Sequence, residues 1–371
     1  MIYFDNAATG GFKPRTVFDA AENVMHYLSA NPGRSGHRLS VEGGKIVYDC
    51  RKELAEMFKA SPERVIFTKN CTEALNLAIF GTVKKGDGVI TTTFEHNSVI
   101  RPLFHLEKSG IISLKIASPS EEKSLLDDIK GKMDDSTKLV VMTAVNNVCG
   151  NVLPYFEVAE LCKKRGVKLI IDGAQAGGHL PLYLTEGISA IALAGHKGLY
   201  GIMGSGALIL NENFEVKPLI YGGTGTSSMD LMQPVDLPEG LESGTLALPA
   251  IAALSEGVRL VKTNLNHIVS VLENYTERLI AGLNEIENVK VYSQKNSAGI
   301  VAFSVKNKSS QEFCDSLNEY DIAVRGGYHC SPLTHKFLNT TADGLIRASL
   351  APQNSSREIR FFINAVKELT R

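Results

Sequence analysis

The sequence predicts an α/β protein: a large domain on a doubly wound, mostly parallel sheet, followed by a smaller C-terminal α/β domain. Three observations carry this. Apolar runs at residues 65–68, 139–144, 168–171, 188–194 and 207–210 have the length and composition of buried strands. Helical segments stand between several of them, in the repeated order strand, helix, strand over residues 64–210. Polar residues sit where two of these runs end, Asp172 after the third and Gly195-His196-Lys197 after the fourth. Strand ends are where an open α/β sheet places its chemistry.

Taken in order, a short strand at residues 2–4 leads into Asp5-Asn6-Ala7-Ala8-Thr9-Gly10-Gly11, small and turn-forming residues that suit a loop close to a ligand. Residues 14–30 predict a helix with Pro14 in its first turn. Asn31 to Arg38 is a loop dense in breakers and positive charge, and 41–60 an amphipathic helix. The strand at 64–68 turns through Lys69-Asn70 into a helix opening with Cys71-Thr72. That arrangement offers free N–H groups and a positive dipole end to an anion, with Thr72 as hydroxyl contact or as a plain N-cap. The strand at 88–93 ends in Phe94-Glu95-His96. A histidine there can act as a base, ligate a metal or offer a stacking platform. The strand at 139–144 delivers Asn146-Asn147, a helix covers 153–164, and the Asp172 strand follows. After the glycine-rich 221–228 loop, a long helical stretch runs from 250 to 285. Strands at 289–292, 299–305 and 345–350 and helices at 310–320 and 355–370 make the smaller domain. The division expected is 13–256 for the large domain, and 257–371 with the arm 1–12 for the small one.

The 371 residues have room for two domains, and 44% apolar with 21% charged residues is ordinary for a globular protein. A net charge of −1 offers no basic face for nucleic acid. No apolar run reaches membrane-spanning length, and the N-terminus lacks a signal-peptide pattern, so a cytoplasmic protein with reduced thiols is expected. Of six cysteines, five stand in helical or apolar contexts that suit small buried hydrophobes. Cys330 differs. It follows Arg325-Gly326-Gly327-Tyr328-His329 in a loop, where nearby positive charge would ease ionisation to the nucleophilic thiolate. An inert cysteine, or a metal cluster with His329 and His335, are the other readings, and the spacing fits no standard zinc pattern.

The constellation points to a cofactor. One carboxylate, Asp172, and one amine, Lys197, at neighbouring strand ends suit pyridoxal phosphate. The amine condenses with the aldehyde, and the carboxylate keeps the pyridine nitrogen protonated. An ion pair at a sheet edge is the plainer reading of those two residues alone.

The segments DGAQ (172–175), GHKGLYG (195–201) and EHNSV (95–99) resemble class V aminotransferases of the pyridoxal-phosphate-dependent transferase fold type I. Within that class the likeness is to the cysteine desulfurase and selenocysteine lyase group, from about Tyr3 to about Asn354. The resemblance implies a site. Lys197 carries the cofactor, with Asp172, Gln175, His96, Cys71, Thr72, Asn147, His196 and Thr245 around it. His96 stacks on the ring and joins Lys197 and Cys330 as the catalytic set. Asn147 bonds the phenolic oxygen, and Thr245 reaches a partner subunit's phosphate in a homodimer with shared active sites. Arg347, Arg325 and Asn147 bind the amino-acid substrate, Arg347 matching its α-carboxylate. Cys330 then takes sulfur from L-cysteine, leaving alanine and a persulfide that an acceptor protein or thiol discharges. Two departures stand out: Cys71 replaces a hydroxyl residue, and Ala194 a serine that touches phosphate. Selenocysteine cleavage, another class V reaction or a non-catalytic scaffold are the alternative functions.

Overall fold

The computed structural model describes residues 1–370. The N-terminal part holds β1 (Ile2–Tyr3), α1 (Arg15–Tyr27), α2 (Arg38–Phe58), β2 (Val65–Thr68), α3 (Cys71–Thr82), β3 (Asp87–Thr92) and α4 (Asn97–Lys108). It continues with β4 (Ile112–Ala117), α5 (Leu125–Lys132), β5 (Thr137–Thr143), α6 (Tyr155–Arg165), β6 (Lys168–Asp172), β7 (Ala190–Ala194) and β8 (Gly206–Leu210). Then come α7 (Leu248–Asn284), β9 (Val289–Val291), β10 (Ile300–Val305), α8 (Ser310–Glu319), β11 (Ile322–Ala323), α9 (Pro332–Phe337), β12 (Ile346–Ser349) and α10 (Ser356–Leu369).

Seven strands form the main sheet in the order β2-β8-β7-β6-β5-β3-β4. Pairs from β7 through β4 are parallel, and β8 runs antiparallel to both its neighbours. The reversal has a local cause. The chain between β7 and β8 carries no helix, and a parallel return needs a crossover of about a dozen residues or more. Alternate residues of the central strands feed different cores: Val140, Met142, Leu169 and Ile171 pack on one face, Leu139, Val141 and Ile170 on the other. Burial on both faces is why these strands read as continuous apolar runs. Because the central strands are parallel, Thr92, Thr143, Asp172 and Ala194 all end at one edge of the sheet.

A second core gathers Phe4, the α7 residues from Val261 onward, the three-stranded sheet β12-β10-β9, and α10. The helix α7 crosses between the cores, contributing Leu248 to Val258 to the first. The N-terminal arm also links the two. β1 pairs in parallel with β11, and Asn6 N–H donates to Ser349 O (3.2 Å).

Three local expectations are corrected. The second helix opens at Arg38, not 41, because His37 caps it, its ring accepting from Ser40 N (3.3 Å). Asn70, not Thr72, is the N-cap of α3, accepting from Glu73 N (2.9 Å), which leaves the Thr72 hydroxyl free of that duty. Between 97 and 132 the pattern reading places nothing, yet α4, β4 and α5 fill that stretch. Pro102 interrupts the helical signal of α4, and β4 is an edge strand with mixed burial. Among the described residues no helix is long and apolar enough to cross a membrane.

Candidate active site

The parallel strand ends and the turns after them enclose a pocket lined by Cys71, Thr72, His96, Asn147, Asp172, Gln175, Ala194, His196 and Lys197. Residues from five separate stretches of sequence thus converge. A larger cavity, ≈ 390 Å³, lies between Arg34, Tyr48 and Glu242, but its Arg51–Glu242 ion pair is already matched and it holds no lysine. Chemistry, not volume, marks the smaller pocket as the active-site candidate.

At its floor Asp172 is buried. Its Oδ1 accepts from Ala174 N (2.9 Å) and from the Cys71 thiol (3.5 Å), which leaves Oδ2 for a further donor. Burial, then the Asp172 charge, raises the Cys71 pKa well above the usual thiol value, so Cys71 is a neutral donor here. Burial lowers the Lys197 pKa from 10.5, with Asp172 opposing the shift and Arg347 and Arg325 adding to it. A lowered amine pKa favours the neutral form that attacks a carbonyl carbon.

Two histidines line the pocket as neutral rings. His96 caps α4: its Nδ1 accepts from Ser98 N (3.0 Å), so the proton sits on Nε2. Burial outweighs the attraction of Asp172 and pushes its pKa down to about 4. His196 is likewise lowered to about 4, by burial and then by Lys197 and Lys13. The N-terminal arm braces His196. Thr9 Oγ1 meets its Nδ1 at 3.0 Å, and Lys13 Nζ donates to its carbonyl at 2.7 Å. Gln175 Nε2 donates to Ala7 O (2.9 Å), while its Oε1 is buried with no partner. Behind His96, Glu95 is fully buried, accepts from Thr92 Oγ1 (2.5 Å) and Thr143 N (3.0 Å), and is pushed up to about 8 by desolvation.

Asn147 lies between the pocket and the second reactive centre. Its Nδ2 donates to His329 O (2.7 Å), its Oδ1 accepts from Ser331 Oγ (2.6 Å), and its carbonyl accepts from Arg347 Nη1 (3.0 Å). Cys330 stands on that loop. It is the exposed one of the six cysteines, the other five being buried. His329 is buried, with Nε2–H donating to Leu345 O (3.0 Å) and its pKa far below the ordinary value. It is therefore neutral, and the positive charge near Cys330 comes from Arg347 instead. Arg347 is almost wholly buried; Nη2 holds Asp5 Oδ1 (2.9 Å), and Nε has no acceptor. Arg325 is exposed and pairs with Arg347 across a two-residue bridge, Arg347 N donating to Arg325 O at 2.8 Å. Neither arginine lines the pocket itself, nor does Cys330. Thr245 lies in a separate groove with Phe67, Lys69 and Ser243. Among the described residues no group of three or more His, Cys, Asp or Glu is set to hold a metal.

Pattern reading places the Asp5–Gly11 loop near a ligand and Ser98 in a family segment, but it assigns no role to Asp5, Thr9, Lys13 or Ser98, which orient Arg347, His196 and His96. Their signal, small polar residues near chain breakers, is too common to single out. Ser331 was also missed, since its partner is 184 residues away in sequence.

The class-V aminotransferase family model matches residues 2–362. A "Probable cysteine desulfurase" of Pyrococcus abyssi (strain GE5 / Orsay) is 32% identical over 385 aligned positions, covering 100% of this chain and 94% of that protein. A "Cysteine desulfurase" of Haloferax volcanii is 29% identical, covering 99% of this chain and 88% of that one. Among solved structures, the apo cysteine desulfurase of Thermococcus onnurineus NA1 superposes with a TM-score of 0.93 at 31% identity, covering 100% of this chain and 94% of the other.

Proposed function

The chain belongs to the class-V aminotransferase family, and on that premise we propose that it is a pyridoxal-phosphate-dependent cysteine desulfurase. It converts L-cysteine to L-alanine and passes the sulfur through Cys330 to an acceptor. One observation carries the reading: the exposed cysteine sits on a loop hydrogen-bonded to Asn147, which lines the pocket of Lys197 and Asp172.

The pocket suits the cofactor. Asp172 has an oxygen to spare, Gln175 Oε1 is a buried acceptor without a donor, and Lys197 is a half-buried residue whose amine has a lowered pKa. Lys197, Asp172, Gln175, His96, Asn147, Thr72 and His196 would hold it, with Cys71 behind Asp172. When bound, it supplies an electron sink for the carbanion at the substrate α-carbon. The chain's own groups do the rest. Asp172 keeps a ring nitrogen protonated. Lys197 Nζ takes the α-proton and returns it. Neutral His96 offers a flat face and no charge, and Arg347 with Arg325 orients the substrate carboxylate. The Cys330 thiolate attacks the substrate sulfur: an S–S bond forms, the Cβ–S bond breaks, and its electron pair goes to the carbon side, which is protonated to alanine. The sulfur moves to the sulfane level as the carbon is reduced, so no external oxidant or reductant enters.

We further read residues 13–256 as the cofactor-binding domain and 257–371 with arm 1–12 as the small domain. The change of core along α7 between Val258 and Val261 supports this division. The protein is read as a cytoplasmic homodimer with shared sites. Met229, Leu231, Met232 and Val235, apolar yet exposed on the strap of residues 221–245 that ends at Thr245, support a covering partner.

Incubating the purified protein with L-cysteine, without reductant, should add one sulfur to the peptide holding Cys330 and release alanine. Cys330→Ala should keep the bound cofactor and its absorbance but lose sulfur release. Full activity in that variant would overturn the role of Cys330.

A further inference from the structure

We propose that Ser331 is a positioning residue that ties the Cys330 loop to the cofactor pocket through the side-chain amide of Asn147. The proposal rests on the desulfurase reading of that pocket. Both ends of the amide are held by the neighbours of Cys330: Nδ2 donates to His329 O (2.7 Å), and Ser331 Oγ donates to Oδ1 (2.6 Å). The amide's orientation follows from chemistry. A carbonyl oxygen only accepts, so nitrogen must face His329. Oxygen then faces Ser331, whose hydroxyl must donate.

The loop between those anchors has an unusual backbone. His329 (φ +47°) and Cys330 (φ +58°) are consecutive left-handed residues, and neither is glycine. Such backbone persists only where its surroundings over-determine it. Here they do. Asn147 holds the carbonyl before the cysteine, and the N–H of Asn97 donates to the carbonyl of Cys330 (2.7 Å). The Ser331 hydroxyl closes the clamp from the other side. Asn147, His329 and Ser331 are buried while Cys330 is exposed, so the thiol faces outward on a loop rooted inside the protein.

The pocket end of the clamp has its own constraint. Asn147 lines the pocket, and its main-chain carbonyl is held by Arg347 Nη1 (3.0 Å). One residue therefore joins the pocket wall, the arginine pair and the nucleophile loop. Without the Ser331 hydroxyl, Asn147 Oδ1 loses its donor in a buried place, and the amide is free to turn. The His329 and Cys330 backbone then relaxes. Lys197, Asp172, Gln175, His96, Thr72 and His196 would still hold the cofactor, so its binding should survive the loosening of Asn147. Delivery of sulfur to Cys330 should not.

The test compares full-length holoenzyme with Ser331→Ala and Ser331→Thr, the second keeping the hydroxyl. Amide hydrogen exchange is followed in two peptides, one covering residues 327–333 and one covering 145–150. Ser331→Ala should speed exchange about tenfold in both, as expected when a buried hydrogen bond is lost. Ser331→Thr should stay near wild type. With L-cysteine, persulfide on Cys330 should build up about tenfold more slowly in Ser331→Ala at equal cofactor occupancy. Unchanged exchange in the 145–150 peptide would overturn the clamp, as would equal loosening by threonine. Should Ser331→Ala not fold, Ser331→Cys, a weak donor of similar shape, carries the same exchange test. If wild type forms no persulfide, the desulfurase reading fails, and the exchange result still decides the clamp.

Discussion

Glu95 stands next to His96 in the chain yet titrates in the opposite sense. Burial pushes its carboxyl up to about 8, so it is protonated at neutral pH, while His96 is neutral down to about 4. The native state thus binds a proton at Glu95 that the unfolded chain releases at its ordinary value near 4.5. Stability linked to this group is fully present below that value and is lost as pH rises toward about 8. Glu95→Gln should therefore flatten the fall in urea midpoint between about pH 5 and about pH 8, measured as the difference from wild type. An unchanged slope would mean that Glu95 is ionised in the folded protein. The same residue-level logic explains why Asp172 and Lys197 were legible from sequence: a buried charge at a strand end needs a reason. The partners of Asn147 were not legible, because hydrogen bonds across 182 and 184 residues leave no local trace.

At the scale of elements, one buried ion pair fastens the strap that carries Thr245. Arg51 of α2 meets Glu242 with both its terminal nitrogens, and Glu242 Oε1 also accepts from Phe67 N of β2 (2.5 Å). Helix, strand and strap are joined by a single carboxylate. Removing it leaves a buried guanidinium unpaired, so Glu242→Ala should cost about 3–5 kcal/mol in urea unfolding. Replacing both members by apolar residues, as in Arg51→Met with Glu242→Leu, should cost far less. Equal losses in the two variants would show that packing rather than charge is responsible. The strands β5, β6 and β7 were readable because burial on both faces makes them uniformly apolar. The strand β8 was readable too, but its antiparallel direction was not. Its direction depends on the missing helix before it and on its place beside β2.

At the scale of the whole molecule, the strap leaves Leu231 fully exposed and Met229 nearly so. Side chains of this kind are normally covered, and in the proposed homodimer the partner covers them. Leu231→Asp should shift sedimentation toward the monomer at low concentration. It should also weaken cofactor retention, because Thr245 of each strap would no longer reach its neighbour. A wild-type protein that sediments as a monomer at every concentration would remove this reading, and with it the shared site. The arm matters at the same scale. Asp5, Ala7 and Thr9 touch Arg347, Gln175 and His196 in turn, so the first ten residues fasten the second core to the pocket.

The sequence by itself determined the α/β class, the strand ends where chemistry collects, and the types of residue placed there. Apolar periodicity and turn residues are local properties, and the family resemblance added the roles. The tertiary structure alone decided which residues share a hydrogen bond. It set Asn70 rather than Thr72 at the cap, gave Asn147 to the Cys330 loop, turned β8 against its neighbours and set Arg347 against Asp5. The Asn70 cap is local, and there bond geometry chose between two capping side chains; the other three depend on groups distant in the chain and brought together only by folding, where directional bonds replace pattern as the deciding physics.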